Sequence, residues 1–401
     1  MSKKRKHVAI VTGQVPGHIY PMLGLCSELT SRGFRVTYPT VDSFSEKIKQ
    51  NEAEPIVFLK PSLANAEKIS HLPIENDLRS WQLYASLQSS LLLCTAAAIV
   101  EETKQFYRDN PPDLVIYDWL ACAGKILARM FSCPAIRVDA HFAKNSRFII
   151  RERGIYQNPA PMLGYAHLLD SFLAAYGIDQ TGNLWRTEDL NIIFVPGEFQ
   201  FDRDSFDNRF QFVGPSLNRH SRSAWTYSRC DKKLLLISES TLATGNSSFL
   251  RLCADAFSDS DYHVVFSSSF KTNTIDSNLI PKNFEVNTNV YNLEILPHAS
   301  AVVCNSGMGT VLEALNSGVP ILAVPNHAFN SEVAHRVDEL GLGIHVRSAD
   351  LSPTTLRAGV DLIVSDVAMN DRVKAMQKIV RSSGGASRAA ELIESVIRMR
   401  Y

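Results

Sequence analysis

Nine short β-branched runs, separated by stretches with helical spacing, constrain the fold of this chain more than any other feature. They are Val8–Val11, Arg35–Tyr38, Leu114–Tyr117, Ala135–Val138, Ile192–Val195, Leu234–Ile237, Val264–Ser267, Ala301–Cys304 and Ile321–Val324. Between the first two, Met22, Leu25, Cys26 and Leu29 recur at i, i+3, i+4 and i+7, and Gly33 follows as a helix stop. Strands that alternate with helices form parallel sheets covered on both faces. With 401 residues, two domains of ~150–200 residues each are the natural division. The polar stretch Ser216–Lys233 reads as the linker, and Ser382-Ser383-Gly384-Gly385 as a second break before a last helix carrying Leu392, Ile393, Val396 and Ile397. The expected fold is α/β: two doubly wound parallel-sheet (Rossmann-like) domains facing a cleft. Ligands are expected at the carboxyl ends of the strands.

Composition excludes several classes of partner. Hydrophobic residues make up 45% and charged residues 20%, ordinary for a globular protein with sizeable cores. Lys+Arg and Asp+Glu both number 41, so no global field recruits nucleic acid or an anionic membrane. Lys3-Lys4-Arg5-Lys6 is short and reads as a solvated start. No apolar segment approaches the ~18–20 residues of a membrane span, and Val8 to Gly13 is too short for a signal-peptide core. Seven cysteines without a C-x-x-C pair argue against a disulfide framework and against structural zinc. The chain reads as cytoplasmic, with a small-molecule partner, no metal, no nucleic acid and no membrane.

Two segments carry chemistry. The first strand runs into Thr12-Gly13-Gln14-Val15-Pro16-Gly17-His18-Ile19-Tyr20-Pro21, where Pro21 suits the first position of a helix. His18 is thereby held at a strand's carboxyl end, and Asp118 follows the strand Leu114–Tyr117. If those strands are neighbours, the carboxylate fixes one imidazole tautomer, and the pair can deprotonate a hydroxyl. The second segment is Asn305-Ser306-Gly307-Met308-Gly309-Thr310, between the run Ala301–Cys304 and the helical pattern Val311-Leu312-Glu313-Ala314-Leu315. Strand, glycine turn and helix N-terminus in that order build an anion site, and a plain tight turn is the bland alternative. Glu313, one turn into the helix, is placed to accept from a ribose hydroxyl. Ser238 and Thr241 follow the strand Leu234–Ile237 and face the same expected cleft. Trp81 and Tyr84, within an apolar stretch that also reads as ordinary core, are candidates for a bulky hydrophobic ligand. Trp119, His141 and Phe142, at strand ends, are stronger ones, and His141 could supply a second acid/base group.

These motifs resemble the GT-B glycosyltransferases of family 1, most closely the bacterial macrolide and flavonoid glycosyltransferases. The resemblance rests on Gly17-His18-Ile19-Tyr20-Pro21, Leu114-Val115-Ile116-Tyr117-Asp118, Phe212-Val213-Gly214-Pro215, Gly307-Met308-Gly309-Thr310, Arg336–Gly343 and Gly384-Gly385-Ala386-Ser387, in collinear order. It implies an acceptor-binding domain over 1–215, a linker over 216–232 and a nucleotide-sugar domain over 233–385. The last helix, 386–401, is expected to pack back on the first domain. It also implies a UDP- or TDP-sugar donor, a hydrophobic hydroxylated acceptor and inversion without metal. His18 would be the base and Asp118 its orienter; Thr310 and the amides from Gly307 through Met308 and Gly309 would hold the diphosphate, and Glu313 the ribose.

The donor half departs from the family pattern. Val290-Tyr291-Asn292-Leu293 stands for a Trp/Val-x-Pro-Gln stretch, and Ser238-Glu239-Ser240-Thr241 for Ser-Leu-Gly-Ser/Thr. Asn305 replaces a phosphate-contacting His, and Phe329-Asn330 replaces the sugar-contacting Asp/Glu-Gln pair, leaving Asn330 as its polar member. Three readings stay open on sequence: a sugar transferase of natural-product (polyketide/macrolide-type) biosynthesis; a homologue that uses His18-Asp118 for dehydration, cyclisation or isomerisation without a sugar donor; and a non-catalytic binding protein.

Overall fold

The computed structural model describes residues 5–59, 78–145, 168–178, 187–217, 225–227, 231–239, 248–268, 280–287, 290–326 and 328–400, the side chains of 78–89, 328, 329 and 400 apart. The chain divides into two compact units, one of Met1–Ser216 with Gly385–Tyr401, the other of Leu217–Gly384. Each is built on one parallel sheet.

The first sheet holds β1 (His7–Val11), β2 (Arg35–Thr40), β3 (Glu54–Val57), β4 (Leu114–Asp118), β5 (Ala135–Asp139), β6 (Asn191–Ile193) and β7 (Phe210–Phe212). Their order is β3-β2-β1-β4-β5-β6-β7. Strands β1 and β4 are buried throughout, as continuous apolar runs must be when helices cover both faces. Their alternate residues feed two cores. Val8, Ile10, Leu114 and Ile116 pack with Ile19, Leu25 and Leu29 of the helix Pro16–Ser31, and with Ala389, Ala390, Ile393 and Ile397 of the helix Gly385–Arg400. Ala9, Val11, Val115 and Tyr117 pack on the opposite face with Ile99, Val100, Ile126 and Leu127. The doubly wound expectation therefore holds.

The second sheet holds β8 (Lys233–Ser238), β9 (Tyr262–Ser267), β10 (Phe284–Asn287), β11 (Ala299–Cys304), β12 (Ile321–Ala323) and β13 (Gly343–His345), ordered β10-β9-β8-β11-β12-β13. At its edge, β12 and β13 pair with Ile321 opposite Gly343. A Cβ at Gly343 would lie 1.9 Å from the Ile321 carbonyl oxygen. Because that atom is ladder backbone, it cannot move aside as a side chain would. Gly343→Ala is expected to lower stability by about 3 kcal/mol, the scale of severe overpacking, read as an earlier urea midpoint. An unchanged midpoint would show that β13 is free to shift.

One local expectation is corrected. The first helix begins at Pro16, not at Pro21, with Val15 as its N-cap. The Val15 carbonyl already accepts from the amides of His18 and Ile19 at 3.0 and 3.1 Å. Pro16 takes the first-turn position where a missing N–H is harmless, and Pro21 lies inside the helix.

Candidate active site

His18 stands in the first turn of the helix Pro16–Ser31, directly above the carboxyl end of β1. Strand β4 is the parallel neighbour of β1, with Val11 opposite Tyr117, so its last residue, Asp118, comes up beside the same loop. The His18 Nδ1 to Asp118 Oδ2 distance is 2.6 Å. Asp118 is 2% exposed, and donors surround its carboxylate. Gly13 N–H reaches both oxygens, at 3.2 and 3.0 Å, and Leu120 N–H reaches Oδ1 at 3.0 Å. Gly13 has little room for a side chain, because a Cβ there would meet Leu120 at 3.1 Å.

A carboxylate can only accept, so Nδ1 of His18 carries the proton and Nε2 keeps its lone pair. Burial pulls the His18 pKa down, but the charge and hydrogen bond of Asp118, helped by Asp139, outweigh it. The net result is a pKa raised above the usual 6.5. The side chain of His18 keeps 20% of its surface exposed, so the imidazole is open to solvent.

The neighbouring strand ends add groups of two kinds. The Trp119 ring lies 6.3 Å from the His18 ring, and Lys144 Nζ sits 5.6 Å from the Trp119 centroid. His141 is half-buried and edge-on to Phe142. Phe142 itself is buried and packs on Phe199 and Phe201 at 5.6 and 4.9 Å, which gives its ring a packing role. Trp81 and Tyr84 fall in the helix Leu78–Asp109, but their side chains lie outside the described residues. Sequence reasoning missed a buried charged pair in β5: Arg137 Nη2 lies 3.0 Å from Asp139 Oδ2. Burial pushes the Asp139 carboxyl up, with Arg137 pulling the other way. The signal was present, since a strand otherwise apolar reads Arg-Val-Asp at its end.

In the second unit, β8 and β11 are neighbours that end together, Cys304 opposite Ser238. Beyond β11, Ser306 adopts a left-handed backbone (φ 59°) and Gly307 caps the helix Met308–Ser317. The first-turn amides of that helix, at Met308, Gly309 and Thr310, have no intrahelical acceptor and point along its positive end. Asn292, named from sequence only as part of a departure from the family pattern, donates through Nδ2 to Ser238 Oγ at 3.1 Å and to Glu313 Oε2 at 3.3 Å. Withdrawal from water pushes the Glu313 carboxyl up to about 7, against the pull of Asn292.

Three donor-side residues are otherwise engaged. Asn305 Nδ2 donates to the Val324 carbonyl at 3.1 Å, which ties the end of β11 to the end of β12. Glu239, whose charge would repel a diphosphate, instead accepts from Ser268 Oγ at 2.9 Å. Asn330 is buried in the helix Ala328–Glu339 and donates to Asn326 Oδ1 at 3.3 Å. Thr241 lies outside the described residues. Among those residues, no group of three or more His, Cys, Asp or Glu side chains could hold a metal. No helix among them is long and apolar enough to cross a membrane.

Comparison with known proteins agrees with this architecture. Residues 251–398 match the family described as "Erythromycin biosynthesis protein CIII-like, C-terminal domain". The chain is 32% identical over 398 residues to the NDP-glycosyltransferase YjiC of Bacillus subtilis, covering 98% of each chain. It is 25% identical to the oleandomycin glycosyltransferase of Streptomyces antibioticus, covering 98% of this chain and 92% of that one. Among solved structures, the calicheamicin glycosyltransferase CalG4 superposes with a TM-score of 0.79 at 31% identity, over 98% of both chains. With the fold, the strand-end residues and these relatives in agreement, the chain belongs to the macrolide and flavonoid branch of the family 1 glycosyltransferases, enzymes of the GT-B fold.

Proposed function

We propose that the protein transfers a sugar, with inversion, from a UDP- or TDP-sugar to a hydroxyl of a hydrophobic natural-product acceptor. The observation that carries this reading is the 2.6 Å contact between His18 Nδ1 and the buried Asp118 carboxylate. With Nδ1–H committed to Asp118, Nε2 takes the acceptor's hydroxyl proton as the acceptor oxygen bonds to the anomeric carbon and the bond to the diphosphate breaks. Asp118 holds the tautomer and stabilises the imidazolium that forms. Residues 1–215 take the acceptor, with Trp119 and His141 beside the base, and residues 233–385 take the donor, joined by 216–232. The diphosphate rests on the amides of Met308, Gly309 and Thr310. A ribose hydroxyl enters the Glu313–Asn292–Ser238 group, where Glu313 accepts.

Titration of the purified protein with UDP, TDP and their glucose conjugates tests the donor half. A nucleotide at a hundred times its Kd adds ~2.7 kcal/mol of stability, which a melting curve resolves. The expected result is binding, with the sugar conjugate tighter than the bare nucleotide. No binding at millimolar concentration would remove sugar transfer from consideration.

A further inference from the structure

The loop that carries His18 is tied to the strands on both sides of β1. On one side Gly13 donates its N–H to Asp118, and the pairing of β1 with β4 continues as far as Val11 opposite Tyr117. On the other side, pairing of β1 with β2 runs only from His7–Arg35 to Ala9–Thr37. Past that point side chains make the connection. Thr12 Oγ1 and Tyr38 Oη share a hydrogen bond of 2.5 Å. Gln14, only 7% exposed, does more. Its Nε2 donates to the Thr12 carbonyl at 2.9 Å and the Pro39 carbonyl at 3.2 Å. Its Oε1 accepts from Thr40 Oγ1 at 3.2 Å and from the Val41 N–H at 3.1 Å. An amide has two hydrogens to give and two lone pairs to fill, so every site of this one is used. Turned over, it would set its oxygen against two carbonyls and its NH₂ against the Val41 N–H, so one orientation is enforced.

A buried polar side chain satisfied this completely fixes the backbone around it. Gln14 directly precedes Val15, the N-cap of the helix Pro16–Ser31, and the Val15 carbonyl receives the His18 amide at 3.0 Å. Movement of the loop away from β2 therefore carries Val15 and His18 with it and opens the 2.6 Å contact with Asp118. We propose that Gln14 is a positioning residue: its amide clamps the loop to the end of β2, sets the place of His18 against Asp118, and so governs the rate of proton removal, a role that rests on His18 being the base proposed above. Gln14 spends all four of its hydrogen-bonding sites within the protein and acts only through His18. Small errors in such a placement are costly in rate.

Gln14→Met, about as long but without an amide, tests this beside Thr40→Val, which removes one of the four bonds and keeps the shape. The first readout is the far-downfield proton resonance of His18 Nδ1–H in the unliganded protein, assigned by its loss in His18→Ala. The second is release of UDP or TDP from the glucose conjugate with a phenolic acceptor, with kcat and KM separated. In Gln14→Met the resonance should move upfield and broaden, and kcat should fall about tenfold while KM for both substrates stays within about twofold. Thr40→Val should move the resonance in the same direction and lower kcat about twofold, which keeps the clamp open to refutation should Gln14→Met not fold. A native resonance in the folded variants overturns the clamp, and needs no substrate to do so. A loss that falls on KM with kcat intact overturns it as well. A displaced resonance with native kcat also overturns it, and His18→Ala then locates the fault. If that variant turns over at the native rate, the reading of His18 as base has failed; if it is inactive, only the role of Gln14 falls.

Discussion

Replacing His18 with alanine lowers kcat/KM for sugar transfer by at least about 10²-fold, the usual worth of a positioned general base. The protein should melt as the native one does. The imidazole is partly open to solvent and lies above the sheet rather than in either core, so its loss leaves no cavity of consequence. Nucleotide affinity should also be unchanged, since the donor groups are proposed in the other unit. Initial rates of UDP or TDP release with a phenolic acceptor, measured beside a melting curve, check the prediction. A variant that melts normally and turns over at the native rate would take His18 out of the mechanism.

Asp118→Asn should be felt in stability as well as in turnover, because the change acts on both sides of the side chain. Every hydrogen bond received by the carboxylate comes from a donor: Gly13 N–H, Leu120 N–H and His18 Nδ1–H. An amide must turn its NH₂ toward one of them. Facing His18, it forces the other tautomer, so Nε2 carries the proton and cannot act as base. Facing Gly13 or Leu120, it leaves buried donors unpaired at about 1–3 kcal/mol. A loss of about 10²-fold or more in kcat/KM is expected, no larger than that of His18→Ala because Asp118 acts through His18. A fall of several degrees in melting temperature should accompany it, at ~2–4 °C per kcal/mol.

The pH profile gives a third readout of the pair. The His18 pKa is raised, so the neutral base is present above that value and lost as pH falls through it. In the native enzyme the acidic limb of kcat/KM should therefore lie above pH 6.5, the ordinary histidine value. In Asp118→Asn the charge that raises it is gone, and any residual activity should show its limb at lower pH. A limb that does not move would show that Asp118 has no electrostatic hold on His18.

Among the described residues, the nine runs visible in the sequence are the nine interior strands, β1, β2, β4, β5, β6, β8, β9, β11 and β12. The four that escaped notice, β3, β7, β10 and β13, are the four edges. Interior strands are buried on both faces and read as largely apolar or β-branched runs, with polar members only in places, as in Arg35–Thr40 and Ala135–Asp139. Edge strands are half-exposed and tolerate what hides them, the proline and glutamate of Glu54–Val57 and the glutamate and asparagine of Phe284–Asn287. The candidate site follows a similar division. His18 and Asp118 could be named because a titratable residue at a strand's carboxyl end is conspicuous. The amides that hold Asp118 could not, since the Gly13 contact closes over 105 positions of chain. Nor could sequence tell that the Asn305 amide reaches Val324, that Glu239 reaches Ser268, or that Asn292 bridges Ser238 and Glu313. Those directions are decided by packing between neighbouring strand ends.

The return of the helix Gly385–Arg400 to the first unit has a consequence for the order in which the molecule becomes whole. Arg32, at the end of the first helix, hydrogen-bonds Ser387 at 3.0 Å across 355 positions and lies 3.6 Å from Glu394. Ala389, Ala390, Ile393 and Ile397 close one face of the sheet begun by His7–Val11. The half made first on the ribosome is therefore the half finished last. It carries an open apolar seam while the whole of the second unit is being synthesised. A chain cut just before Gly385 would keep every strand of the second sheet and still be defective, and the defect would surface in the amino-terminal half.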